Sequence, residues 1–468
     1  MGRVISEAVF MRFFRHPLGV FLIFAGLLVS QPGFGTNGYF PHGVGTKNKA
    51  MAGAGMAMPE DAISIVNNPA VAVFLGNRMD VGISVFQPRR SYRSFFAGSE
   101  GQNGTFTIGP SDIDNDKDLF FTPELARTRQ LSNDSAFAWA FYMQSGMATS
   151  FKGGFTTFDP DGDGPLAIET RPGTYGDGAA GMELSQAFVD ISWAKMLGDK
   201  TSFGVSAVLA AQSLKVKGTG GLAKYTETFA ASAGSVFPDS LSANGREMNY
   251  GVGLKFGLHR LLGEHFSFGI MYQSEINIGS AKDYSDLFAD GGDIDIPAWF
   301  RMGVSWQPLD VLSFSIDAQY IMYSGVDALG NSFSNVYDCP TAGLGGTDLS
   351  SCLGGKKGPG FGWRDVPVYN IGGSWTISDK WTLRAGFSFS DQPTPISENV
   401  FNILMLNMTE AHYTAGFSRR LNNGHELSFS FMYTEEESLE NPNQLDPNQI
   451  ILLKTDQFDF QVSYSWDR

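Results

Sequence analysis

Some groupings of residues in this chain have the types and spacing for chemistry. Asp159-Pro160-Asp161-Gly162-Asp163-Gly164 sets carboxylates at alternate positions ahead of a glycine, as at the start of a calcium-binding loop. The twelfth position is Thr170, with Glu169 one short of it, and a solvated acidic loop accounts for the run equally well. Asp159, Asp161 and Asp163 are therefore a metal candidate with an incomplete ligand set, and no cofactor is expected. Hydrolysis, as in a lipase, needs a Ser within reach of a His that a third group orients. Of the six histidines, His259, His265, His412 and His425 lie near strand-like segments, and His265 and His425 fall at turns, which leaves His412 with a neighbouring Ser. Cys339 and Cys352, the two cysteines, share one Gly-rich stretch; in an exported chain this pair reads as a disulfide tethering a long loop.

The elements that must carry these groups are strands. Phe458, Phe460, Val462, Tyr464 and Trp466 alternate with Gln457, Asp459, Gln461, Ser463 and Ser465 without a miss. Alternate residues of a strand point to opposite faces of its sheet. The pattern recurs at even spacing: Leu427 to Tyr433, Ala411 to Phe417, Trp381 to Phe389, 363–377, Leu312 to Tyr320, Phe300 to Trp306, Phe266 to Tyr272, Tyr250 to Leu258, Phe203 to Leu209, Ala187 to Trp193, Phe137 to Met143, a less regular 118–131, and Val81 to Val85. That predicts 14 strands. Short turns such as Asn422-Asn423-Gly424 alternate with long links at about 93–117, 151–182, 217–247, 280–296, 326–362, 392–408 and 439–454. Apolar-out, polar-in strands with short turns on one side and long loops on the other are the pattern of a bacterial outer-membrane β-barrel.

Composition agrees. Charged residues are 17% of the 468 and aromatic residues 13%. After residue 35 no run reaches the 18 or so apolar residues of a membrane helix, so a closed barrel is left as the structure that satisfies its backbone in lipid. Arg12 and Arg15 ahead of the apolar run Leu18–Val29 read as a secretory signal over 1–35. Its loss takes away Arg3, Arg12, Arg15 and Glu7, moving the net charge from −15 to −17. So acidic a chain has no electrostatic reason to hold nucleic acid. Residues 36–77 do not alternate, are small and Gly-rich, and contain Ile63, Ile65, Val71 and Phe74, which need burial. The expectation is a plug inside the barrel, followed by barrel from 78 to 468.

Gly53-Ala54-Gly55, Asp61-Ala62 and Asn68-Pro69-Ala70 resemble the N-terminal hatch of the FadL family. Trp363-Arg364-Asp365, Trp381-Thr382-Leu383-Arg384-Ala385-Gly386 and Pro393-Thr394-Pro395 resemble its C-terminal half. The chain ends on Asp467-Arg468 after Trp466, where the family ends on an aromatic residue. The resemblance implies an outer-membrane channel for passive uptake of long-chain fatty acids, or of aromatic or aliphatic hydrocarbons. It also implies a plugged 14-strand barrel and exit sideways through a gap at the third strand. Lipid and lipopolysaccharide would be its neighbours, and a monomer is expected. A lipase and a general porin are the readings from other classes.

Within that frame the wall's inner face carries Asp80, Asp190, Lys255, Arg301, Asp317, Arg384, His412, Arg420, Glu426 and Asp459. Most are expected to pair with one another, since a buried unpaired charge is costly. A substrate carboxylate wants an Arg or Lys; Arg301 and Arg364, toward the outer halves of their strands, are the candidates, whereas Arg384 is expected to be structural. Phe401, Leu404, Met405 and Leu406 in one long loop are expected to form an outer greasy funnel. Pro123 lacks a ladder donor and Gly146 invites a bulge. Counted out from the turn at 132–134, Pro123 faces Met143 and Gly146 faces Phe120, which marks a lateral opening.

Overall fold

The computed structural model describes residues 37–100, 104–159 and 168–467. The expected signal at 1–35 lies outside them, as do Asp161 and Asp163. Alternation yields 14 wall strands: β1 Arg78–Ser94, β2 Phe120–Ser132, β3 Ser135–Ala148, β4 Gly181–Met196, β5 Thr201–Lys217, β6 Glu247–Leu262, β7 Phe266–Gln273, β8 Trp299–Leu309, β9 Leu312–Ile321, β10 Val366–Ser378, β11 Trp381–Ser390, β12 Ala411–Arg420, β13 Glu426–Tyr433 and β14 Asp446–Asp467. Each is antiparallel to its neighbours, and β1 pairs with β14 from Arg78↔Asp467 to Ser94↔Ile451, closing the barrel. Closure leaves no sheet edge for lipid to meet.

Outward positions are apolar and exposed, as at Val252, Leu254 and Phe256 on β6 and Ile316 on β9. Aromatic rings mark both rims of this band. Trp306 lies between Phe266 and Phe314 near the short turns, and Tyr369–Phe389 and Tyr433–Phe458 meet near the long loops. Inward positions are polar and buried, as at Asp459, Gln461, Ser463 and Ser465.

The expected loop at 439–454 is instead a hairpin. Glu437–Asn443 pairs with the first half of β14, so that strand runs far beyond the lipid band. Pro442 is tolerated in it because Glu437–Asn443 is an edge. Likewise β1 continues past Val85 to Ser94, where Ser111–Asp114 joins it. The outer loops pack on themselves, and the disulfide Cys339–Cys352 ties the loop between β9 and β10.

Candidate functional site

Residues 37–75 lie within the ring of strands, and their local sequence explains how. Asn68 caps a short 3-10 helix, Pro69–Phe74, by accepting from the Ala70 N–H at 3.0 Å, and Pro69 occupies the first position, where no donor is needed. The same Asn68 donates to the Leu258 carbonyl of β6 at 3.1 Å, and Ser202 of β5 donates to the Ala70 carbonyl at 2.8 Å. Asn68-Pro69-Ala70 thus clips the segment to the wall. Two wall glycines permit the approach. A Cβ on Gly257 would lie 2.8 Å from Pro69 Cδ, and one on Gly372 would lie 2.6 Å from Met51 Cβ. Glycine weakens a strand; here it clears space for another backbone.

Charges finish the docking. Lys49 pairs with Asp459 at 2.8 Å and Lys47 with Glu426 at 2.6 Å, while Glu60 pairs with Arg384. Arg301 donates to Gly53 O at 2.6 Å and Asn67 Oδ1 at 3.0 Å, and lies 3.5 Å from Asp317, whose carboxylate accepts from Met56 N. Lys255 pairs with Asp190 at 2.7 Å and donates to Val66 O. The expectation of paired lumen charges therefore describes Asp80 with Arg78, Asp190, Lys255, Arg301, Asp317, Arg384, Glu426 and Asp459. Arg420 departs from it: it is exposed at the short-turn rim. In the segment, Asp61 is pushed up to about 6 by burial and by the Asp80 charge beside it. His42 is held well below its usual value by burial and by Lys49. Glu60 stays below its usual value because Arg384 and Lys47 outweigh the effect of burial.

Between these ties the wall has a seam. The β2–β3 ladder runs from the turn to Leu125↔Phe141 and stops there. From 120 to 124 and from 142 to 148 the two strands exchange no ladder bonds, while β2 stays paired to β1 up to Phe120 and β3 to β4 up to Ala148. Chain pairing resumes above at Asn115↔Phe151, where Asp116 N–H donates to Ser150 O at 2.9 Å. The result is a window in the wall, bounded above and below. A pocket behind it, no larger than a water molecule, is lined by Thr122, Pro123, Glu124, Tyr142 and Met143 of the wall and by Gly43, Val44 and Lys49 of the segment. The counted register is right as far as the ladder goes. Beyond it, Pro123 and Gly146 face no partner across the seam, and the bulge on β3 is at Gln144, between Met143 and Ser145, rather than at Gly146.

Other expected site residues fall differently. Arg301 is spent on the N-terminal segment, and Arg364 is exposed, its backbone N–H bonded to Pro393 O. Phe401, Leu404, Met405 and Leu406 are buried, not an exposed funnel. Phe401 stacks on Phe361 at 4.7 Å, and the loop folds down over the lumen because its apolar run finds partners there. Asp159 is buried, and among the described residues no His, Cys, Asp and Glu group has metal-site geometry. His412 Nδ1 lies 3.0 Å from Ser388 Oγ, but its other nitrogen has no partner and its ring stacks on His42, so no third group orients it.

Sequence reasoning missed Lys47, Lys49, Glu60 and Arg90 as lumen groups. For Arg90 the signal was present: Phe86, Pro88, Arg90 and Tyr92 continue the inward face of β1.

A family described as outer membrane protein transport proteins (OMPP1/FadL/TodX) matches residues 174–465, more than half the chain. No curated protein matches. The fold is similar to that of a Pseudomonas aeruginosa FadL homologue, with TM-score 0.62, 16% identity, and 92% of this chain and 99% of that one covered. It is similar also to the P. putida toluene transporter TodX, with TM-score 0.59, 15% identity and coverage of 91% and 99%. For the Ralstonia pickettii toluene transporter TbuX the values are 0.55, 18%, 91% and 98%.

Proposed function

Because the chain belongs to the outer-membrane transport protein family of OMPP1, FadL and TodX, we propose that it takes up long-chain fatty acids passively, through the lumen and out sideways into the membrane. The observation that carries this reading is the unpaired β2–β3 seam with a pocket behind it. Unsatisfied backbone in lipid is expensive, so a wall that gives up its ladder there needs a use for the gap. Residues 36–77 act as a hatch. In the docked state they fill the lumen, and substrate binding shifts them so that the pocket behind the seam becomes continuous with the outer loops. No energy source is needed, because a hydrophobic solute that lipopolysaccharide keeps out moves down its own gradient once inside.

A second reading, uptake of toluene-like hydrocarbons by the same route, is favoured by the likeness to TodX and TbuX. The test is uptake of labelled oleate and labelled toluene by cells that have no other channel of this kind, with and without the protein. Oleate uptake that depends on the protein is expected. Protein-dependent toluene uptake without oleate uptake would select the second reading, and neither would reject both.

A further inference from the structure

Arg90 on β1 is 3% exposed and faces the lumen. Its Nε donates to the Leu406 carbonyl at 2.7 Å and its Nη1 reaches the Ala148 carbonyl at 3.4 Å. Nη2 is buried with no hydrogen-bond partner. Among the described residues no carboxylate lies within ion-pair distance of it, whereas Lys47, Lys49, Lys255, Arg301 and Arg384 each have one. A buried guanidinium held by carbonyls alone keeps much of its desolvation penalty, and one partner charge would offset it.

Directly across on β14 stands Thr455, whose buried Oγ1 also lacks a partner. A planar guanidinium and a hydroxyl side by side suit a carboxylate, one oxygen for each. Next to them is an apolar patch separate from the main core: Phe86, Phe120, Ala148 and Met432, with Met143 against it. Ala148 belongs to this patch and supplies the carbonyl that Arg90 holds. Phe86 and Arg90 share one face of β1, four residues or roughly 13 Å apart. Phe120 and Met143 are at the seam.

We propose that Arg90 and Thr455 seat the carboxylate of a long-chain monocarboxylic acid, whose chain lies along Phe86, Phe120 and Met432 toward the seam. The inference rests on the proposed uptake of long-chain fatty acids and names the residues that would tell them from uncharged hydrocarbons. Uncharged hydrocarbons would gain nothing from this seat.

The test is binding of palmitate and of hexadecan-1-ol to the purified, folded barrel in a non-ionic detergent, with assembly checked by heat-modifiable migration on gels. Arg90→Gln is expected to weaken palmitate binding roughly 10- to 100-fold and to leave hexadecanol unchanged. Arg90→Lys, which keeps the charge but not the fork, falls between. Thr455→Val weakens palmitate several-fold. Equal palmitate affinity in wild type and Arg90→Gln, or parallel loss of both ligands, overturns the proposal. Should Arg90→Gln not assemble, unchanged palmitate binding in both Arg90→Lys and Thr455→Val overturns it. Cellular uptake separates the two readings. Palmitate bound through Arg90 but not taken up refutes the channel and leaves the seat. Palmitate uptake that Arg90→Gln does not alter refutes the seat and leaves the channel.

Discussion

The wall at β10–β12 and the wall at β2–β3 are built from the same alternating strands and do opposite things. On the first, ladders are complete, Gly372 admits the hatch backbone, and Arg384 reaches into the lumen to hold Glu60. On the second, the ladder ends at Leu125↔Phe141; Gln130 donates to the Val73 carbonyl of the hatch at 2.6 Å below that end, and Gly45 N–H donates to Glu124 at 3.1 Å beside the gap. On the proposed route, closure to water and sideways exit fall to different parts of the circumference. The hatch is bound to both walls, by an ion pair on the first and by hydrogen bonds on the second; what sets the second apart is the missing ladder.

Bridging the weak side should have the largest effect. With Thr122→Cys and Met143→Cys joined by a short thiol cross-linker, oleate uptake is expected to fall to background, because the seam can no longer part. Cys339 and Cys352 are already joined, so no native thiol competes. Uptake that survives a verified cross-link would remove the seam from the route.

Breaking the strong side comes next. Arg384→Gln leaves Glu60 without its buried partner, a loss on the order of 3 kcal/mol in hatch docking. Conductance in planar bilayers should rise while the barrel stays heat-resistant, since the ladders on either side of β11 are untouched. Gly372→Val should act in the same direction by roughly 1–3 kcal/mol, through overpacking against Met51. The sign is informative: valine favours a strand, so a stabilised, still-plugged barrel would show that Gly372 is not there for the hatch.

Smallest in the wild type is the pH response, because two hatch groups oppose each other. Asp61 is raised to about 6 when docked, above roughly 3.9 when free, so its contribution favours docking at low pH and is lost as pH rises through 6. His42 is depressed when docked, below roughly 6.5 when free, so its contribution favours docking at high pH and is lost as pH falls below that value. Between pH 7 and 5 the two offset. Asp61→Asn should expose the histidine, with conductance rising on acidification. His42→Gln should expose the aspartate, with conductance falling. The same sign in both variants would show that one of these groups does not follow the hatch.

Alternation along the chain determined the barrel, its 14 strands and the side on which the termini meet, because side-chain facing in a strand depends only on a residue's own position and the bilayer demands one apolar face. Local turn chemistry determined the register of the β2–β3 hairpin, and Pro123 marked where the ladder gives out. Only the tertiary structure decided which cations are free. Lys49 and Asp459 are 410 residues apart in the chain and 2.8 Å apart in space, and nothing local to either names the other. For the same reason Arg301 read as a ligand for substrate and serves the hatch, while Arg90, beyond the Val81–Val85 alternation by which the first strand was recognised, drew no reading. The 401–408 loop read as a funnel because its greasy residues are plain in the sequence. That they turn inward follows from Phe361 and Phe333 waiting there, partners that folding alone brings together.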